Sequence, residues 1–207
     1  GGFIGVDVFF VISGYLISRN LLAESASGQR VRLLDFWAKR IRRLVPALAL
    51  MVVATLAMSA LILSPFEWTD LPREAGAAAL YVSNILYATA ETSYFDVRGG
   101  ESPFLHTWSL GVEEQFYVVW PLLFLAVAWL VRRPKFRERA LLGLFGAGAA
   151  VSFALSLLLT RRGSPWAFYS LPTRAWEFAA AGLLAGIVVP AALRGQRALV
   201  AWYTAGF

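Results

Sequence analysis

Within LHTWSLGVEEQFYVVWPLL, Leu105 to Leu123, an imidazole, two adjacent carboxylates and a phenol stand at the entrance to an otherwise apolar segment. In a helix turning about 100° per residue, His106, Ser109, Glu113, Tyr117 and Trp120 fall within an arc of about 80°. Burying charge is costly, so a stripe of this kind on an apolar helix faces a bundle interior or a wet cavity. Proton transfer to or from a hydroxyl is chemistry these groups can do. The candidate catalytic residues are therefore His106, Glu113, Glu114 and Tyr117, with Ser109 shaping the site and Glu114 pointing to the side of the stripe. A plainer arrangement has Ser109 capping the helix and both glutamates at the positive end of its dipole. It requires neither His106 nor Tyr117.

Three further segments carry polar groups beside apolar runs. In DFWAKRIRRLVPAL, Asp35 to Leu48, Arg40 and Arg43 stand three apart on one helical face. Two guanidinium forks so placed can grip phosphates, as a nucleotide-bearing donor would need. An ordinary positive-inside anchor, shared with Lys39 and Arg42, explains the same spacing. In GGFIGVDVFFVISGYLIS, Gly1 to Ser18, the residues Asp7, Val11, Gly14 and Ser18 share a face. Gly14 and Ser18 form a small-xxx-small pair that admits a close helix neighbour. Asp7 is either an N-cap or a buried acid turned toward a site, and Ser13 is a further site-shaping candidate. In LPTRAWEFAAAGLLAG, Leu171 to Gly186, Arg174 and Glu177 lie one turn apart, as an intrahelical ion pair would.

The elements that position these groups are membrane helices. The chain is 58% hydrophobic and only 15% charged, with a mean hydropathy of +0.61. The hydrophobic share and the hydropathy exceed those of a soluble domain, and the charged share falls below it. A spanning helix needs about 20 apolar residues; the runs at Val6–Leu22, Leu44–Leu63, Trp108–Val131 and Ala140–Thr160 are read as spans, and Ala175–Val189 is a further candidate. Ala75–Ala90, short and interrupted by Ser83 and Asn84, is the poorest span. Pro46 falls near the start of its run, where a missing N–H costs least. Trp and Tyr cluster at the ends of the runs, as in an interfacial belt. The expected fold class is all-α, a polytopic transmembrane bundle of five to six helices or helix pieces.

The formal charge of +6 comes largely from arginine clusters between these runs, which points to a membrane partner and not to nucleic acid. No cysteine and a single histidine leave no disulfide, no thiolate nucleophile and no expected metal centre. The basic stretches Arg19–Arg43 and Arg132–Arg139 both favour the cytoplasm, which requires either that Ala75–Ala90 fails to cross or that one basic loop lies outside. The poor hydrophobicity of Ala75–Ala90 favours the first.

In this order, GGFIGVDVFFVISGYLIS, FWAKRIRRLVPAL, LHTWSLGVEEQFYVVWPLL and LPTRAWEFAAAGLLAG, the segments resemble the acyltransferase family 3 proteins. Those are polytopic membrane enzymes that move acyl groups, often acetyl, onto sugars and other hydroxyl acceptors. The resemblance implies a donor, acyl-CoA, on the cytoplasmic side of a bacterial inner membrane, with Arg40 and Arg43 near its phosphates. It implies a glycan or lipid-linked sugar acceptor, such as lipopolysaccharide, peptidoglycan or an exported glycan. It also makes residues 1–207 a fragment of one such domain, truncated at both ends and inactive alone. The family's first membrane helix, which carries a histidine thought to act as base, would precede Gly1, and His106 is a different position. A transporter or channel subunit is the alternative that embedded carboxylates and arginines leave open.

Overall fold

A computed structural model describes residues 2–26, 33–64, 69–90, 102–131 and 133–188. Gly1, most of the SASGQRVR loop, Arg132, Val189, Leu193 and Arg194 lie outside the described residues. The described chain is all-α: α1 (Gly2–Ala26), α2 (Leu33–Ile62), α3 (Leu71–Ala79), α4 (Ser83–Thr89), α5 (Trp108–Leu130), α6 (Pro134–Arg161), α7 (Trp166–Tyr169) and α8 (Leu171–Val188). A 3-10 turn, Leu105–Thr107, leads into α5. Four stretches are long and apolar enough to cross a membrane: Ile4–Glu24, Leu33–Ile62, Leu105–Leu130 and Phe136–Arg161.

Contacts along the helices fix their directions. Ser13 meets Glu113 and Ser18 meets Trp120, so α1 and α5 run parallel. Gly14 lies against Phe178 and Gly182 against Ser18, so α8 runs parallel to α1. Trp37 reaches Tyr117 while Arg40 reaches Glu114, which makes α2 antiparallel to α5. Leu142 faces Gly186 and Ser152 bonds Trp176, which makes α6 antiparallel to α8. The C-terminal ends of α1 and α5 and the N-terminal ends of α2 and α6 therefore share one end of the bundle.

This arrangement holds because Ala75–Ala90 is not one helix. It is α3 and α4, of nine and seven residues, divided at Leu80–Val82. At about 1.5 Å per residue neither reaches across a bilayer.

Two expectations change. Pro46 lies well inside α2, because the helix starts at Leu33 ahead of the apolar run, and the carbonyl of Arg42 loses its helical donor there. Trp108 and Trp120 are buried and do not form part of a belt. They join Phe10, Phe116, Phe145 and Phe178 in an aromatic core whose ring centroids lie 4.0 Å apart for Phe116 and Phe178 and 4.6 Å for Trp120 and Phe145. That core is where α1, α5, α6 and α8 meet. Gly14 permits the approach: a Cβ there would sit 2.6 Å from the Cα of Phe178.

Candidate active site

Three helices deliver five polar side chains to one place. The Ser13 hydroxyl on α1 donates to Glu113 Oε1 at 2.6 Å. From α2, Arg40 Nε donates to Glu114 Oε1 at 2.8 Å and to Oε2 at 3.1 Å. The Arg40 terminal nitrogen lies 2.7 Å from Glu114 Oε1 and 3.4 Å from Glu113 Oε2. Its guanidinium carbon sits 3.1 Å from the centroid of the Tyr117 ring, which Phe36 flanks at 6.3 Å. Glu113 and Tyr117 are buried, while Arg40 and Glu114 are partly open. One arginine is thus clamped between two carboxylates and laid on a phenol ring.

The backbone of α5 helps to hold this clamp. Pro121 lies inside the helix and has no N–H to give the carbonyl of Tyr117, its partner four residues earlier. The Trp37 indole fills that vacancy, donating to the Tyr117 carbonyl at 3.0 Å. A buried carbonyl left unpaired is costly, so this bond fixes α2 against α5 beside Arg40.

A second cluster lies toward the N-terminal ends of α1 and α8. Arg174 is ion-paired with Asp7 across the two helices. Its Nε also lies 3.0 Å from Glu177 Oε1, one turn on along α8. The N–H does not aim at that oxygen, and neither Glu177 oxygen receives a hydrogen bond from the described residues, although the side chain is only 1% exposed. The pair expected within one helix is therefore also a tie between helices. Again one arginine stands between two carboxylates.

The other candidates sit apart. His106 is exposed in the 3-10 turn and does not join the clamp. Ser109 donates to the His106 carbonyl at 3.3 Å, and the helix cap is Thr107, whose hydroxyl bonds Ser83 and the Phe104 carbonyl. Ser109 is thus not the cap. Arg43 is exposed on α2, and the fork of Arg40, expected to face phosphate, is turned onto Glu113 and Glu114. Glu114, expected to the side of the stripe, is a full member of the clamp. An apolar crevice of about 140 Å³ bounded by Val119, Leu123, Leu144 and Ala179 carries no ionisable group and lies outside this chemistry.

Two residues escaped the sequence reading. Trp37 was signalled only indirectly, through the N–H that Pro121 lacks. Tyr81, in the break between α3 and α4, lies beside Gln115, which donates to its carbonyl at 3.4 Å. The Asn84 side chain secures the same corner, receiving a bond from Gln115 at 2.9 Å and donating to the Tyr169 carbonyl at 3.1 Å.

The whole chain, residues 1–207, matches the family described as an acyltransferase domain, type 3. The chain belongs to acyltransferase family 3. Among relatives in the family, it is 38% identical over 178 residues to the peptidoglycan O-acetyltransferase OatA of Listeria monocytogenes, covering 86% of this chain and 28% of that protein. It is 39% identical over 179 residues to the putative peptidoglycan O-acetyltransferase YrhL of Bacillus subtilis, covering 86% of this chain and 27% of the relative. With the O-acetyltransferase OatA of Staphylococcus aureus it shares 43% identity over 138 residues, which is 67% of this chain and 22% of that one. The chain thus spans between 22% and 28% of these relatives' length. No solved structure matches it.

Proposed function

We propose that the full-length protein is a membrane-bound O-acyltransferase of the bacterial plasma membrane that moves an acyl group, above all acetyl, from acyl-CoA to a hydroxyl of a cell-envelope glycan. The names of the relatives favour peptidoglycan as acceptor over lipopolysaccharide or another exported glycan. The observation that carries the reading is the clamp: Arg40 between Glu113 and Glu114, with the Ser13 hydroxyl on the buried carboxylate, in the interior of a membrane helix bundle.

In this reading the acceptor oxygen attacks the thioester carbonyl, its proton passes to a base, and the carbon–sulfur bond breaks to release CoA as the protonated thiol. Arg40 and Ser13 hold Glu113 in one orientation, so that its carboxylate keeps a fixed position relative to the reacting groups. Arg43, exposed on α2 one turn beyond Arg40, meets the donor phosphates, and Arg40 organises the carboxylates beside them. His106, exposed in the turn that leads into α5, stands outside the clamp. Tyr117, its ring under Arg40, is the phenol of the clamp and a candidate to relay the proton or the acyl group.

The test uses the full-length protein in liposomes, with labelled acetyl-CoA on one face and peptidoglycan fragments on the other. Label transferred to glycan hydroxyls, and lost with Glu113→Gln and Glu114→Gln, is the expected result. An intact wild-type protein that leaves both acetyl-CoA and glycan unchanged overturns it. Arg43→Ala with an unaltered KM for acetyl-CoA removes the donor role of that residue.

A further inference from the structure

Helix α3 ends in two backbone bonds, Tyr81 N–H to the Ala78 carbonyl at 3.1 Å and Val82 N–H to the Ala77 carbonyl at 2.9 Å. That pair of bonds closes a helix by setting one residue in the left-handed region, a position glycine fills without strain. At the end of α6 the chain does use glycine, Gly163 with φ of 64°. At the end of α3 it uses Tyr81 with φ of 56°, the one non-glycine residue with positive φ among the described residues. A bulky side chain there is strained, and such strain persists where the side chain has a use.

The location supplies the use. The Tyr81 carbonyl is held by Gln115, the neighbour of Glu114 on α5. The helix comes so close at that level that a Cβ on Gly111 would lie 2.9 Å from the same carbonyl oxygen and 2.7 Å from Asn84 Oδ1. Small size at Gly111 and the amide pair of Asn84 and Gln115 thus press the break against the turn of α5 that carries the clamp. The phenol lies within the electrostatic influence of Glu114, Arg40 and Glu113.

We infer that Tyr81 is a positioning residue for the Arg40–Glu114 pair, held beside it by a strained backbone, and that the interruption between α3 and α4 serves to deliver it. An aromatic ring kept only for the membrane interface would not need the left-handed position, because a glycine at Tyr81 and a tyrosine one residue away would serve equally. The inference rests on the acyltransferase reading for its activity readout, but not for its stability readout.

The experiment compares Tyr81→Phe, Tyr81→Gly, Tyr81→Ala, Glu114→Gln and the Tyr81→Phe/Glu114→Gln double variant in the full-length protein, by thermal unfolding and by acetyl transfer. Tyr81→Phe, which keeps the ring and removes the phenol hydroxyl, is expected to lower kcat about tenfold with the KM for acetyl-CoA little changed. Glu114→Gln and Tyr81→Phe are expected to be non-additive in both kcat and Tm. Tyr81→Gly is expected to unfold at a higher temperature than Tyr81→Ala yet to be no more active than Tyr81→Phe. Full activity in Tyr81→Phe, or strict additivity of Tm with Glu114→Gln, overturns the inference. If the wild-type protein transfers no acetyl group, the functional reading fails, and the Tm cycle alone still decides the role of Tyr81.

Discussion

Ser13 and Glu113, one hundred positions apart in the chain, are joined by a hydrogen bond of 2.6 Å in the interior of the bundle. The bond ties the middle of α1 to the first turns of α5 and leaves the other oxygen of Glu113 toward Arg40. Its donor is a small hydroxyl beside Gly14, so the serine can lie within a close helix contact and still satisfy a buried acid. Ser13→Ala removes the donor and leaves a buried oxygen unpaired, which is expected to cost about 1–3 kcal/mol. Thermal unfolding of the purified variant measures it, and an unchanged midpoint would show that Glu113 has another donor.

Arg40 compensates two carboxylates at once. Arg40→Ala leaves both uncompensated in a poorly solvated place, a change that costs about 3–5 kcal/mol for a buried pair and somewhat less here because Arg40 and Glu114 are about one-fifth exposed. Arg40→Lys keeps the charge but loses the fork and the ring contact, so it is expected to recover only part of the stability. Adding Glu114→Gln to Arg40→Ala is expected to restore stability in part. An alanine variant as stable as the parent in a thermal melt would contradict the clamp.

The close packing of α1 on α8 makes a sharp comparison between two glycines. A Cβ at Gly14 meets the backbone of Phe178 at 2.6 Å, whereas at Gly5 nothing lies within 4 Å. Gly14→Ala is expected to push the helices apart and to lower the unfolding midpoint. Gly5→Ala is expected to leave it unchanged or to raise it, since alanine favours the helix by about 0.5–1 kcal/mol.

Trp37 and Pro121 are coupled through a single carbonyl. Trp37→Phe keeps an aromatic ring and loses the N–H, which leaves the carbonyl of Tyr117 unpaired; Pro121→Ala returns the helical donor to the same oxygen. The cost of Trp37→Phe, about 1 kcal/mol or more in the parent, is expected to shrink in the Pro121→Ala background. Equal costs in both backgrounds, read by a thermal double-mutant cycle, would break the argument.

Glu74 gives the region of α3 a dependence on pH. Its carboxyl is raised above the ordinary glutamate value, first by burial and then by Asp70, against the opposing bond from Ser102. A raised folded pKa means that the folded state holds the proton more tightly than the unfolded chain. The corresponding stability is complete below the unfolded pKa and is lost as pH rises through the folded one. Midpoints taken from pH 4 to pH 7 are expected to fall less steeply in Glu74→Gln than in the parent; identical slopes would exclude a role for this group.

Much of the architecture is legible in the residues. The apolar runs of α1, α2, α5 and α6 announce their own lengths, and the conflict between two basic loops already points to Ala75–Ala90 as the segment that fails to cross. The small pair Gly14 and Ser18 marks the tight contact with α8. The clamp is less legible, because helical periodicity gives the angle between side chains on one helix but not the rotation of one helix against another. Glu113 and Glu114 diverge by about 100° on α5, yet a long guanidinium reaches both. His106 fell outside the cluster because the chain before Trp108 is a 3-10 turn, where side chains recur at about three per turn and the α-helical phase does not extend.

Each of the two polar clusters sets a single arginine against a pair of acids, so that both are one positive charge short of neutrality in their ionised forms. With the bundle set in a bilayer, a proton or a cationic group of a ligand that supplies that charge would cross part of the transmembrane field to reach it. An electrical potential acts on every such movement, with about 2.3 kcal/mol per elementary charge for a full crossing at 100 mV. Turnover in vesicles should therefore respond to an imposed voltage even though the overall reaction, as written, moves no net charge from one compartment to the other.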